Sequence, residues 1–147
     1  MSGKGGVGKS LVSGLIAVGL KRQGYEVGIL DADITGSSIP RMFGVSARPS
    51  GSANGFLPVI SESGIELMSI NLLLPSEDDA VIWRGPLISG AITQFWEEVL
   101  WGKLDYLILD MPPGTADASL TVLRTLPISG IIIASTPQDL TAMIVRK

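Results

Sequence analysis

Residues Gly3 to Ser10, Gly-Lys-Gly-Gly-Val-Gly-Lys-Ser, have the spacing G-x-x-x-x-G-K-[ST] of a phosphate-binding loop without a mismatch. Each residue type has a task in that chemistry. Gly5, Gly6 and Gly8 let the backbone curl with its N–H groups inward, forming a nest for phosphate oxygens. Lys9 brings a compact positive charge to the outer phosphates, and the Ser10 hydroxyl suits the Mg²⁺ that accompanies a nucleoside triphosphate. The helix that follows adds the positive end of its dipole. Gly3, Lys4, Gly5, Gly6, Val7, Gly8, Lys9, Ser10 and Leu11 are therefore the candidate nucleotide contacts. The generic pattern does not need a lysine at position 4, and Lys4 is the most specific mark of the loop.

Three carboxylates stand where a phosphate loop needs partners. Asp31 and Asp33 follow the apolar run Val27–Leu30, and Asp110 follows Tyr106–Leu109. In open α/β sheets ligands sit at the carboxyl ends of the strands, beside the loop. Asp110 fits a Walker B carboxylate that serves Mg²⁺ directly or through water. Asp31 and Asp33, one residue apart, point to the same side of an extended segment and favour a cation beside them. One then serves the metal's water shell while the other orients the attacking water; a solvated acidic loop is the alternative. Met111-Pro-Pro-Gly-Thr-Ala-Asp117 reads as a switch in which the Gly114 N–H meets a γ-phosphate, or as an ordinary Pro-Gly turn. There is neither His nor Cys, so chemistry must run on carboxylates, lysines, hydroxyls and backbone amides, with no disulfide and no thiolate metal site.

The elements that must position these groups are legible from periodicity. Residues 9 to 23 read as a helix, apolar almost all round and closed by Gly24. Val27–Leu30 is a buried parallel strand. Residues 34–55 are rich in Gly, Ser and Pro and are expected to form a loop. Phe56–Ile60 and Ile65–Ile70 suggest a hairpin, and Pro75–Asp79 an acidic turn. Pro86–Trp101 reads as a second helix, with Ile88, Ile92, Phe95 and Val99 inward, Glu97 and Glu98 outward, and Trp96 and Trp101 as packing residues. Tyr106–Leu109 is a strand, Ala118–Leu126 a helix, Gly130–Ala134 a third apolar strand, and residue 138 begins a last helix. This alternation predicts an α/β fold with a mostly parallel sheet and right-handed crossovers.

The bulk numbers exclude several classes. With 46% apolar and 17% charged residues, the chain belongs with globular domains, and its 147 residues read as one domain with its own core. Net charge is −3, which argues against a broad nucleic-acid footprint. The apolar stretch Leu11–Leu20 is short and broken by Ser13, Gly14 and Gly19, so it reads as a buried helix and no membrane partner is expected. No secretory signal is visible, and the cytoplasm is the default compartment.

Taken together, Ser2–Ser10, Leu30-Asp-Ala-Asp-Ile34 with Ser38-Ile-Pro-Arg-Met42, Trp83-Arg-Gly-Pro86, Gln94-Phe95, Trp101-Gly-Lys-Leu-Asp-Tyr106, Asp110–Asp117 and Ser135-Thr-Pro-Gln138 resemble the deviant Walker A ATPases of the MinD and ParA superfamily. Within that group the chain is similar to the Mrp/ApbC-type iron–sulfur cluster carriers, through the Trp-Arg-Gly-Pro and Trp-Gly-x-Leu-Asp-Tyr segments above all. The resemblance implies a P-loop NTPase three-layer sandwich and an ATP- and Mg²⁺-dependent homodimer. Lys4 reaches the partner's nucleotide, Lys9 holds the β- and γ-phosphates, Ser10 ligates Mg²⁺ with Asp31 and Asp110 in its outer shell, and Asp33 positions the water. It further implies that apo iron–sulfur proteins receive a [4Fe–4S] cluster when ATP state changes.

This sequence departs from the family pattern. Leu11 stands where the family usually has Thr, whose hydroxyl bonds the α-phosphate, a loss of about 1 kcal/mol. Ser37 stands where Pro is usual. The cluster-ligating C-x-x-C, the adenine-reading segment and the strand ahead of the loop are all absent, so a domain trimmed at both ends is expected, with apolar faces left uncovered and a cluster held only in a longer form. Three readings fit: the ATPase core of a cluster carrier, a MinD- or ParA-like positioning switch, and a non-catalytic nucleotide-binding fragment. Trp83-Arg-Gly-Pro86 favours the first.

Overall fold

The computed structural model describes residues 8–33, 38–72, 86–113 and 116–135. Among them the elements run α1 (Lys9–Arg22), β1 (Val27–Asp31), α2 (Ser38–Met42), β2 (Ser50–Ser52), β3 (Gly55–Leu57), β4 (Val59–Ile60), β5 (Glu66–Ser69), a 3₁₀ turn (Ile70–Leu72), α3 (Pro86–Glu98), β6 (Tyr106–Asp110) and α4 (Ala116–Thr125). The main sheet has the order β4-β5-β1-β6, with β5, β1 and β6 parallel and β4 antiparallel. Parallel strands need crossovers, and the helices that supply them cover both faces.

Strand alternation sorts the core into two halves. On one face Val27 and Ile29 of β1, Leu67 of β5 and Ile108 of β6 pack with Ala17, Val18 and Leu20 of α1 and Ile39 of α2. On the other, Leu30, Met68, Leu107 and Leu109 pack with Ile92 and Phe95 of α3 and Val122 of α4. These are the three layers of the expected sandwich. α1 ends as the sequence predicts, with Gly24 in the left-handed region at φ 92°.

Five expectations need correction. The stretch 34–55 is not a bare loop: Ser38–Met42 forms a helical turn that buries Ile39 and Pro40. That turn lies so close to α1 that a Cβ on Gly14 would collide with the Met42 sulfur. The strand expected over 56–60 divides at Pro58, which has no N–H for a ladder. Its first part pairs with β2 and its second with β5. The helix from Pro86 stops at Glu98 instead of Trp101, because Val99 leaves it to bridge Phe56. α1 is not covered all round, since Leu11 and Leu15 are 54% and 62% exposed.

The fifth is the run Gly130–Ala134, which is not a strand. A strand exists through its ladder, and this segment belongs to neither sheet among the described residues. Ile131, Ile132 and Ile133 are consequently 51%, 60% and 74% exposed. As expected, Ile92, Phe95 and Val99 are buried, Glu97 and Glu98 are exposed, and Trp101 packs against the core; Trp96, expected to pack as well, is instead 38% exposed. The side chain of Ile88, the Pro75–Asp79 turn and the helix from residue 138 lie outside the described residues. No described helix is long and apolar enough to cross a membrane.

Candidate functional site

The site forms where register and alternation coincide. Asp31 of β1 is in register with Ser69 of β5 on one side and Asp110 of β6 on the other. All three end apolar runs. They share strand parity with Ile29, Leu67 and Ile108, so they project toward α1. α1 begins at the same end of the sheet. Its N-cap, Gly8, has φ 84°, which favours glycine, and no side chain caps the helix. The first-turn N–H groups of α1 are thus the kind of donors that bind anions.

Lys9, the first residue of α1, is 9% exposed and turns its ammonium to the carboxylates. Nζ lies 2.6 Å from Asp110 Oδ1 and 3.6 Å from Asp33 Oδ2. It also approaches the Ser10 hydroxyl at 3.4 Å. One turn along α1, Ser13 Oγ lies 3.1 Å from Asp110 Oδ1 and 3.2 Å from the Lys9 carbonyl, so its hydroxyl steadies the same carboxylate.

Asp31 is held from two directions. The Asp33 N–H donates to its Oδ1 at 3.0 Å, and Ser69 Oγ donates to its Oδ2 at 3.0 Å. Burial nevertheless lifts its pKa from 3.8 to about 7. The Asp33 N–H pulls against that rise, the Asp110 charge adds to it, the Ser69 hydroxyl opposes it, and the Asp33 charge adds again. Asn71, in the 3₁₀ turn after β5, donates from Nδ2 to the Asp33 carbonyl at 2.8 Å and from its N–H to Ser69 Oγ at 3.2 Å. The end of β5 thereby fixes the segment that carries Asp33.

Of the predicted site residues, the structure brings together Lys9, Ser10, Asp33 and Asp110 directly, with Asp31 joined to Asp33 through the peptide N–H. Gly8 caps the helix beside them, and Leu11 lies exposed on its first turn. Gly3, Lys4, Gly5, Gly6, Val7 and Gly114 lie outside the described residues. Sequence reasoning missed Ser13, Ser69 and Asn71. A signal existed for two of them: Ser13 is four residues from Lys9 on one helix face, and Ser69 ends an apolar strand just as Asp31 and Asp110 do.

One carboxylate oxygen at the site is left to take a cation. Asp110 Oδ2 is buried with no hydrogen-bond partner among the described residues, while its Oδ1 is occupied by Lys9. Among the described residues no group of three or more carboxylates, His or Cys could hold a metal alone.

The chain is similar to known proteins along its whole length. The chain is 51% identical over 155 aligned residues to the iron–sulfur cluster carrier protein of Clostridium perfringens, covering 100% of this chain and 55% of that protein. It is 45% identical over 147 residues to the iron–sulfur cluster carrier protein of Escherichia coli K12, covering 99% of this chain and 40% of that one. The chain thus spans about half the length of such relatives. Among solved structures, a nucleotide-binding protein from Archaeoglobus fulgidus in complex with ADP superposes with a TM-score of 0.82 at 49% identity, over 99% of this chain and 56% of that one. Cobyrinic acid a,c-diamide synthase from Mycobacterium smegmatis shares the fold alone, with a TM-score of 0.61 at 22% identity over 97% of this chain and 62% of that one. With a family model matching all of residues 1–147, the chain belongs to the ParA group described as NUBPL iron-transfer P-loop NTPases.

Proposed function

We propose that this chain is the ATP-binding and hydrolysing core of an iron–sulfur cluster carrier, in which ATP state controls transfer of a cluster to apo iron–sulfur proteins. The observation that carries the reading is the meeting of Lys9 with Asp110, 101 residues away in sequence, and with Asp33, at the N-terminus of α1. The names of the relatives, iron–sulfur cluster carrier proteins, supply the cargo.

In this reading the phosphates of ATP lie on the N–H groups of Gly3 to Ser10, and Lys9 shares its charge between them and Asp110. Ser10, Asp31 and Asp110 hold Mg²⁺, which neutralises phosphate charge when bound. Asp33, whose carbonyl is held by Asn71, orients the attacking water. Leu11 adds contact without the hydroxyl that a threonine would offer, and the Gly114 N–H reads the γ-phosphate. Lys4 reaches the nucleotide of a second protomer, so hydrolysis requires the homodimer. Phosphoryl transfer of this kind rests on positioning and charge neutralisation, which suits a chain without His. The cluster is the cargo; the chain has no Cys and offers it no thiolate. Reconstitution with iron and sulfide should leave the 147-residue chain colourless.

The decisive variant is Lys4→Ala. It should abolish Mg-ATP hydrolysis while most nucleotide binding, followed by calorimetry, survives. Hydrolysis at the parent rate would remove the trans lysine from the mechanism.

A further inference from the structure

β1 and β5 end by the same local device. Asp31 and Ser69 are partners in register, and the side chain of each accepts the peptide N–H two residues further on. Asp and Ser make such turns where a strand gives way to a loop. Two cross-links then join the turns. Ser69 Oγ donates to Asp31 Oδ2 at 3.0 Å, and Asn71 Nδ2 donates to the Asp33 carbonyl at 2.8 Å. The four bonds close a ring through Asp31, Asp33, Asn71 and Ser69. Asp31 and Ser69 are buried, so that side of the ring is anchored in the core.

The ring matters because Asp33 lies just past the ladder. Backbone pairing carries the chain as far as Ala32, whose N–H donates to the Asp110 carbonyl at 2.9 Å. One residue on, side chains take over: the Asp33 N–H meets Asp31 and its carbonyl meets Asn71. Lys9 holds the Asp33 carboxylate less closely than its neighbour. Nζ is 2.6 Å from Asp110 Oδ1 but 3.6 Å from Asp33 Oδ2, beyond the length of a hydrogen bond. The two carboxylates face one ammonium and repel each other. A backbone free to shift would relieve that repulsion by carrying Asp33 away from Lys9. Of the four ring bonds, the one from Asn71 is the only one that ties Asp33 to another strand.

We propose that Asn71 is a positioning residue whose amide holds the Asp33 backbone so that the Asp33 carboxylate stays beside Lys9. It acts on hydrolysis through Asp33, and the affinity for nucleotide does not depend on it. The proposal rests on the reading of Asp33 as the residue that orients the attacking water. Losing the amide leaves the contacts of Lys9 and Ser13 with Asp110 in place, while the water loses its alignment.

The test uses the whole chain with Asn71→Ala and Asn71→Leu, the second of which keeps the side-chain volume without a donor. Both retain the peptide N–H that bonds Ser69, and Asn71 is half-buried, so the fold should survive, as circular dichroism will check. Without nucleotide, amide hydrogen exchange at Asp33 should quicken at least about tenfold in either variant, while Ile29 and Leu30 keep the parent rate. With Mg-ATP, kcat should fall by roughly ten- to a hundredfold at an unchanged dissociation constant. On the residual rate of Asp33→Ala, adding Asn71→Ala should cost nothing further, because the two residues act as one unit. Unchanged exchange at Asp33 would overturn the proposal. So would a matching loss of nucleotide affinity, or effects of the two substitutions that simply add. A parent chain that binds Mg-ATP without hydrolysing it would remove the ATPase reading instead, and exchange at Asp33 would still decide whether Asn71 holds that residue.

Discussion

Asp31 is the residue where burial and function pull hardest against each other. Its carboxyl keeps its proton up to a pH of about 7, whereas in the unfolded chain it loses it near 3.8. Between those values the folded state binds the extra proton, so rising pH withdraws stability across roughly pH 4 to 7, by an amount on the order of a few kcal/mol. Asp31→Asn should flatten that slope and raise the melting temperature at pH 8. Denaturant titrations at several pH values will read both effects, and an unchanged slope would mean the carboxyl is hydrated. A divalent cation beside Asp31 favours the ionised form, so Mg-ATP should also shallow the slope. Leu11 offers a second prediction at this scale. It is exposed on the first turn of α1, so Leu11→Thr costs little packing and places a hydroxyl beside the proposed nucleotide site. Nucleotide should bind about fivefold tighter, near 1 kcal/mol, as measured by calorimetry.

At the scale of elements, helix and strand cores follow from apolar periodicity, and what the sequence does not reveal arises from contacts between distant segments. α1, β1, β6 and α4 are visible because each has a repeating apolar pattern with a clear stop: Gly24, Asp31, Asp110 and Leu126. The β2–β3 hairpin is not visible, because Ser50-Gly-Ser-Ala-Asn-Gly55 has no apolar alternation. It exists because Phe56 docks on Val99 and the Leu100 N–H donates to the Phe56 carbonyl. Gly55 makes that docking possible: its φ is 140°, and a Cβ there would run into the Glu98 carbonyl oxygen at the end of α3. Gly55→Ala should therefore destabilise the chain by about 1–3 kcal/mol in urea, with fluorescence of the nearby tryptophans following the loss. The end of α3 belongs to the same account. Periodicity carries it on to Trp101, but Val99 is taken by the hairpin.

For the whole molecule, the site joins residues from three parallel strands and one helix, so ligand binding should be felt by all of them. Mg-ATP at about 100 times its dissociation constant should add ~2.7 kcal/mol, a rise of roughly 5–10 °C in melting temperature for a chain of this size. No rise at millimolar Mg-ATP would mean the site is not assembled in this chain. The sequence by itself determined the chemistry available: a glycine-rich loop with two lysines, three carboxylates at strand ends, and neither His nor Cys. It determined the layer pattern as well, because period-2 and period-3.6 patterns are local properties of a chain. Tertiary structure alone decided which of these groups meet. Register places Ser69, Asp31 and Asp110 in one row, and the packing of α1 over that row brings Lys9 and Ser13 to Asp110. It also decided that Gly130–Ala134, apolar enough to be a strand, joins no sheet among the described residues, since a strand is a relation between two segments and not a property of one.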